Sequence, residues 1–250
     1  MSLLRRIGWA ALAGGLAAGL LLFVLQAVWV TPLIHRAERY ETAPAHASTP
    51  AATSAGNAAP AGPPAAGLPA TGASAMGAPA PAPEGWAPAE GLQRIGLTAL
   101  SDVLAAVGFA LLLLAGMTVR GAPVSVRSGI QWGLAGYAAF VLAPALGLPP
   151  ELPGAAAAGL AERQLWWSGT VVASAAGLAL LTFAPGWIKP LGGLALLAPH
   201  ALGAPRPPLD VPELLPAALA GQYVAAVLVT SAVFWAVLGG ACGWFLERQR

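Results

Sequence analysis

The sequence predicts an all-α protein, a polytopic membrane helix bundle of six (or five) transmembrane spans. Three observations carry that expectation. Charge is scarce: 57% of the 250 residues are hydrophobic and 9% charged, with a mean hydropathy of +0.71, whereas a soluble domain carries about 25% charge. So few charges cannot coat a soluble globule. The apolar residues gather into runs near the ~20 residues a helix needs to cross hydrocarbon. Lastly, basic residues sit at alternate connections between those runs, as the positive-inside pattern requires.

The first run, residues 7–30, follows Arg5 and Arg6. It is too long for the apolar part of a signal peptide and no small-x-small cleavage site follows, so it reads as an uncleaved span. Next comes TPLIHRAERYE, in which Thr31 is placed to cap a new interfacial helix with Pro32 at its first position. Residues 1–42 thus form a first unit. Residues 43–90 are rich in Ala, Pro and Gly and nearly free of charge. They cannot bury a core and read as a disordered outer loop, with Trp86 returning the chain to the interface and no role for His46.

The remaining unit, 91–250, holds the rest of the bundle. Clear spans are expected at 95–119, 129–148, 165–184 and 214–246, with Pro216 marking the start of the last. The short run 187–202 carries Pro190 and Pro199 and is a short span or a re-entrant segment. Counting it as a span puts Arg5, Arg6, Arg120, Arg127, Lys189, Arg248 and Arg250 on one, cytoplasmic, side, which favours six spans with both termini cytoplasmic. Most carboxylates and the three histidines then fall outside, where an acidic surface attracts cations. Gly15/Gly19, Gly129/Gly133 and Gly239/Gly243 are small-xxx-small pairs suited to close helix contact, within the bundle or with a partner helix. Cys242 lies in an apolar run and reads as a packing residue.

Several functions are unsupported by any motif. There is no phosphate-binding P-loop, no G-x-S-x-G elbow and no C-x-x-C, and nothing points to nucleic acid. The chain is not expected to be an enzyme or to carry a cofactor.

Four places carry candidate chemistry. His35 and Glu38 are three apart on one helix face, an imidazole and a carboxylate suited to a borderline metal or simply a solvated interfacial pair. Glu151 stands in the stiff PPELPG turn, where prolines fix the backbone. It is a ligand or gate there, or the partner of Arg163. His200 follows Pro199 at a span end and is a further ligand candidate. Asp102 lies inside a span, where an ionisable group is a functional candidate by default, although it is near enough to the outer end to snorkel. Gln26, Gln131 and Gln222 either glue helices or line a polar path. Asp210 and Glu213 have the spacing of a capping box for the last helix.

WVTPLIHRAERYE (29–41), FVLAPALGLPPELPG (140–154), RQLWW (163–167), PHALGAP (199–205) and FWAVLGGACGW (234–244) together resemble, in order and spacing, the proposed cobalt transporter subunit CbtA family of bacteria. The resemblance covers most of the chain outside 43–83. It implies a bacterial inner-membrane protein of about five spans, associated with cobalt uptake for cobalamin synthesis. It also implies a small CbtB-like partner with one span and a histidine-rich tail. It supplies no set of metal ligands.

The expected function is therefore a divalent-cation permease subunit in contact with membrane lipid, with cobalt or a similar ion as substrate. His35, Glu38, Glu151 and His200 would form or approach an entry site, and Asp102 with a glutamine would begin the path inward. The competing expectation is a membrane scaffold that assembles a partner complex without transporting.

Overall fold

The structure, a computed structural model, describes residues 3–41, 88, 89, 91–208 and 215–248. Among them there is no strand. The helices are α1 (Leu3–Leu25), α2 (Thr31–Glu41), α3 (Leu92–Arg120), α4 (Val126–Tyr137), α5 (Ala143–Ala145), α6 (Leu160–Phe183), α7 (Lys189–Leu202) and α8 (Ala217–Arg248). Most of the 43–90 loop, with His46 and Trp86, and the expected capping box at Asp210 and Glu213 lie outside the described residues.

Two π-helical segments join neighbouring helices into longer rods: Gln26–Val30 links α1 to α2, and Ala138–Leu142 links α4 to α5. Each stands just before a proline inside the rod, Pro32 and Pro144. A proline has no N–H for the carbonyl four residues back, and its ring presses on that carbonyl. A wider turn moves the carbonyl aside, and the ladder closes one residue further on, Thr31 N–H to Gln26 O and Ala143 N–H to Ala138 O. Thr31 therefore does not cap a new helix. The π turn absorbs Pro32, and the helix runs unbroken from α1 into α2.

Four helical stretches are long and apolar enough to cross a membrane: Leu4–Tyr40, Leu92–Arg120, Leu160–Phe183 and Ala217–Arg248. The α4–α5 rod, residues 126–145, is ~30 Å long at 1.5 Å per residue. The 14 residues of α7 reach only ~21 Å, short of the ~30 Å hydrocarbon core.

Turns between helices follow their residues. Gly121 takes the left-handed conformation (φ 69°) that ends α3, its N–H bonding Met117 O and Thr118 O. Ser125 caps α4 in a reciprocal box with Ser128. In the PPELPG turn, Pro153 and Gly154 (φ 79°) occupy the two central positions of a type II turn closed by Ala155 N–H to Leu152 O at 3.2 Å.

Glycines set the helix spacing. Gly129 and Gly133 of α4 face Gly239 and Gly243 of α8 so closely that a Cβ at Gly133 would meet the Trp235 carbonyl and one at Gly239 the Gly129 carbonyl. Gly15 and Gly19 of α1 lie on the backbone of Val107 and Val103 of α3. Gly177 of α6 and Gly192 of α7 oppose each other in the same way. All three expected small-residue pairs are thus used inside the chain. In each of these glycine contacts a low number pairs with a high one, so α1 and α3, α4 and α8, and α6 and α7 are antiparallel, and the six described rods alternate in direction.

One core joins α1, α3 and α8 through Ala10, Ala110, Leu114, Met117, Leu238 and Cys242. Cys242 is buried there as a packing residue. Phe109, Phe140 and Trp235 stack at its edge, with centroids 4.8–5.6 Å apart. A second cluster, Ala37, Leu152, Leu215 and Leu219, binds α2, the PPELPG turn and the head of α8 together.

Candidate functional site

Alternation sorts the charges into two ends. Arg5, Arg6, Arg120, Arg127, Lys189 and Arg248 lie at one, with Glu247. At the other lie α2, the head of α3, the PPELPG turn, the head of α6 and the end of α7. Of the five candidate metal residues, His35, Glu38, Glu151 and His200 lie at this second end and Asp102 does not.

His35 and Glu38 do meet. One helical turn apart, Nδ1 and Oε2 are 2.9 Å from each other. Glu38 Oε1 also faces Arg94 Nη2 of α3 at 3.8 Å. The α1–α2 rod has 39 residues, from 3 to 41, so at ~58 Å it far outruns ~30 Å of hydrocarbon and α2 stands clear of it. In that setting the hydrogen bond from His35, and then the nearby positive charge, hold the Glu38 carboxyl below its ordinary value of 4.5. Glu38 therefore stays ionised.

Glu151 is held elsewhere. Its Oε2 lies 2.8 Å from Arg163 Nη2, with both side chains at least two-thirds covered (24% and 33% exposed). This is the structural partner allowed by the sequence, and it ties the PPELPG turn to the head of α6. His200 is half-buried in the last turn of α7, its ring edge-on to Trp166 with centroids 5.9 Å apart. The Trp166 indole N–H donates to Pro199 O at 3.3 Å.

The five candidates do not converge. Among the described residues no group of three or more His, Cys, Asp or Glu side chains is close enough to hold a metal ion. Each acid or imidazole is taken up by its own neighbour, and those neighbours sit on different helices. The cation-attracting surface also needs revision. Arg36, Arg39, Arg94, Arg163 and Arg206 share this end with Glu38, Glu41, Glu151 and Glu162. The acidic surplus counted from sequence rests on Glu84, Glu90, Asp210 and Glu213, all outside the described residues.

Asp102 is different. It lies ten residues into α3, ~15 Å from the helix start. Its Oδ1 accepts a hydrogen bond from Gln26 Nε2 at 3.5 Å. Its Oδ2 is buried with no hydrogen-bond partner. Gln26 is the first residue of the π segment, so the bulge that accommodates Pro32 also places an amide against the one acid in the middle of a described span. Arg94, Thr98 and Asp102 follow at i, i+4 and i+8 on α3, with Ser101 beside them. Thr98 and Ser101 donate their hydroxyl protons to backbone carbonyls at 2.9 Å, leaving their oxygens free as acceptors. A polar stripe thus runs from the Glu38–Arg94 rim to Asp102. The sequence reading gave no role to Arg94, Thr98 or Ser101. Their four-residue spacing on an apolar helix was the signal.

The whole assembly, from α1 to α8, matches one family model over residues 4–247, described as a probable cobalt transporter subunit (CbtA). The chain belongs to this family, and with its apolar helices it is a membrane protein. No curated protein and no solved structure matches it.

Proposed function

We propose that this chain is the membrane-spanning subunit of a cobalt or similar divalent-cation uptake system, with Asp102 and Gln26 as the polar step through which the ion, or a proton exchanged for it, crosses the bundle. The observation that carries the reading is the unpartnered, buried Oδ2 of Asp102 at the foot of a polar stripe. An acid costs ~2.5–3.5 kcal/mol at the centre of a membrane helix and here no arginine offsets it among the described residues. Such an acid is retained where it binds something.

His35 and Glu38 stand above this step as a pair. The proton joining Nδ1 to Oε2 occupies the position from which a divalent ion would bridge both atoms, with water completing its shell. Glu151 and His200 serve this reading as parts of the rigid rim. The ion itself is substrate. The membrane potential supplies ~2.3 kcal/mol per charge per 100 mV, so about twice that for a divalent ion entering a negative interior.

The subunit is placed in the bacterial inner membrane, with the arginine-rich end and both termini cytoplasmic by the positive-inside pattern. The family's description as a transporter subunit supports a partner of some kind, and the resemblance alone suggests that it is a single-span, histidine-rich CbtB-like protein and that the uptake serves cobalamin synthesis. The transporter reading is preferred to the scaffold alternative because the three small-residue pairs Gly15/Gly19, Gly129/Gly133 and Gly239/Gly243 are engaged within the chain.

Cobalt uptake into cells carrying Asp102→Asn should fall at least tenfold at equal membrane abundance, while Asp102→Glu retains part of it. Undiminished uptake by Asp102→Asn overturns the assignment.

A further inference from the structure

A groove of about 570 Å³ opens between α4 and α6, with Leu112 and Leu113 of α3 and Trp235 of α8 at its back. It falls within the usual size of a ligand site. Its polarity is graded. Ala135, Ala139 and Phe140 on one wall and Ala175, Leu178 and Ala179 on the other are apolar, while Ser128, Gln131 and Thr182 gather at the arginine-rich end.

Two arginines stand at that end. Arg120 lies on the same helix face as Leu112 and Leu113, two turns further on, and its guanidinium sits over the Phe183 ring at 5.1 Å. Phe183 itself lines the groove. Arg127 is one turn before Gln131 on α4. Neither arginine has a carboxylate partner among the described residues, and the nearest acid on the neighbouring α8, Glu247, accepts from Val126 N–H at 3.4 Å.

We propose that this groove binds one acyl chain of an anionic glycerophospholipid whose phosphate is held by Arg120 and Arg127. Length selects lipid over a partner helix. From Phe140 to Ser128 is twelve residues, ~18 Å, little more than the ~15 Å that one leaflet contributes to the ~30 Å hydrocarbon core. The groove therefore serves one leaflet. At its far end the rod carrying α5 closes on α6, where Gly147 meets the Trp166 ring and Phe140 lies 6.4 Å from Trp167. A helix crossing the whole membrane cannot lie there, whereas a chain hanging from a headgroup at the arginine-rich end can. Charge selects the headgroup, since two arginines without carboxylate partners among the described residues stand at the polar, hydroxyl-bearing end of the groove.

The test is native mass spectrometry of the purified full chain with phosphatidylglycerol and phosphatidylcholine of matched acyl chains. Wild type should retain phosphatidylglycerol in preference. The preference should fall about fivefold for each of Arg120→Gln and Arg127→Gln, and Arg120→Lys should restore most of it. Ala179→Phe should reduce occupancy by both lipids. Equal binding of the two lipids, an unchanged preference in the double glutamine variant, or a second copy of the chain in place of lipid overturns the proposal. Should Ala179→Phe fail to fold, a photoactivatable phosphatidylglycerol on wild type decides. Labelling within 128–140 and 175–183 supports the site, and labelling confined elsewhere refutes it.

Discussion

Replacing Gly133 or Gly239 with alanine tests the idea that backbone contact, and not side-chain burial, holds α4 to α8. A Cβ at Gly239 would stand 2.7 Å from Gly133 N and 2.8 Å from Gly133 Cα, besides meeting the Gly129 carbonyl. Carbon packs best at about 3.5–4.0 Å, so the two helices must part by roughly half an ångström to one ångström. No flexible side chain is present to yield in their place. A gap of that size forfeits about a quarter to a half of each affected dispersion contact. Overpacking of this kind costs about 1–3 kcal/mol, and the upper part of that range applies because both colliding groups are helix backbone. For a chain of this length, 2–3 kcal/mol corresponds to a Tm about 4–12 °C lower. The assay is thermal unfolding of detergent-purified protein, with Gly108→Ala and Gly169→Ala as controls. Neither control would meet anything within 4 Å, and each should be neutral or gain up to ~1 kcal/mol from helix propensity. If Gly133→Ala and Gly239→Ala melt with the controls, the close-contact reasoning is wrong.

Two further outcomes follow from the same geometry. Arg163→Gln and Glu151→Gln should each lower Tm by about 2–4 °C, the equivalent of ~1 kcal/mol for a partly covered, charge-assisted pair. The double variant should be little worse than either single one, and additive losses would show that the two do not act as a pair. Pro32→Ala removes the reason for the π turn, so the rod should relax to regular α-helix and rotate Gln26 by about 100° relative to α2. Uptake should then drop, and it should drop likewise in Gln26→Leu. Normal uptake in Pro32→Ala would separate the bulge from function.

Asp102 shows how a partner alters the meaning of a residue. On sequence alone it is an acid in a span, equally able to snorkel toward the outer water. Against Gln26 it is an acid held inward by a bulge on another helix, with one oxygen still unpartnered. Glu151 moves in the opposite direction. Its position among prolines leaves it a ligand, a gate or the partner of Arg163, and Arg163 at 2.8 Å makes it a tie between turn and helix.

The sequence by itself determined what composition and local spacing control. Charge poverty and long apolar runs dictate membrane helices. Arginine placement dictates their alternation, proline and glycine at 153 and 154 dictate the type II turn, and adjacency on one helical turn brings His35 to Glu38. Only the tertiary structure decided what depends on two distant segments meeting. Thr31 does not begin a helix, because the π turn that absorbs Pro32 has no mark in the sequence beyond the proline itself. The three small-residue pairs Gly15/Gly19, Gly129/Gly133 and Gly239/Gly243 close on helices of the same chain. His35, Glu151 and His200 stay apart, because each is positioned by a different helix pair and captured by the nearest complementary group. Liganding distance between residues more than a hundred positions apart is a property of helix packing, and packing is set by which glycine faces meet.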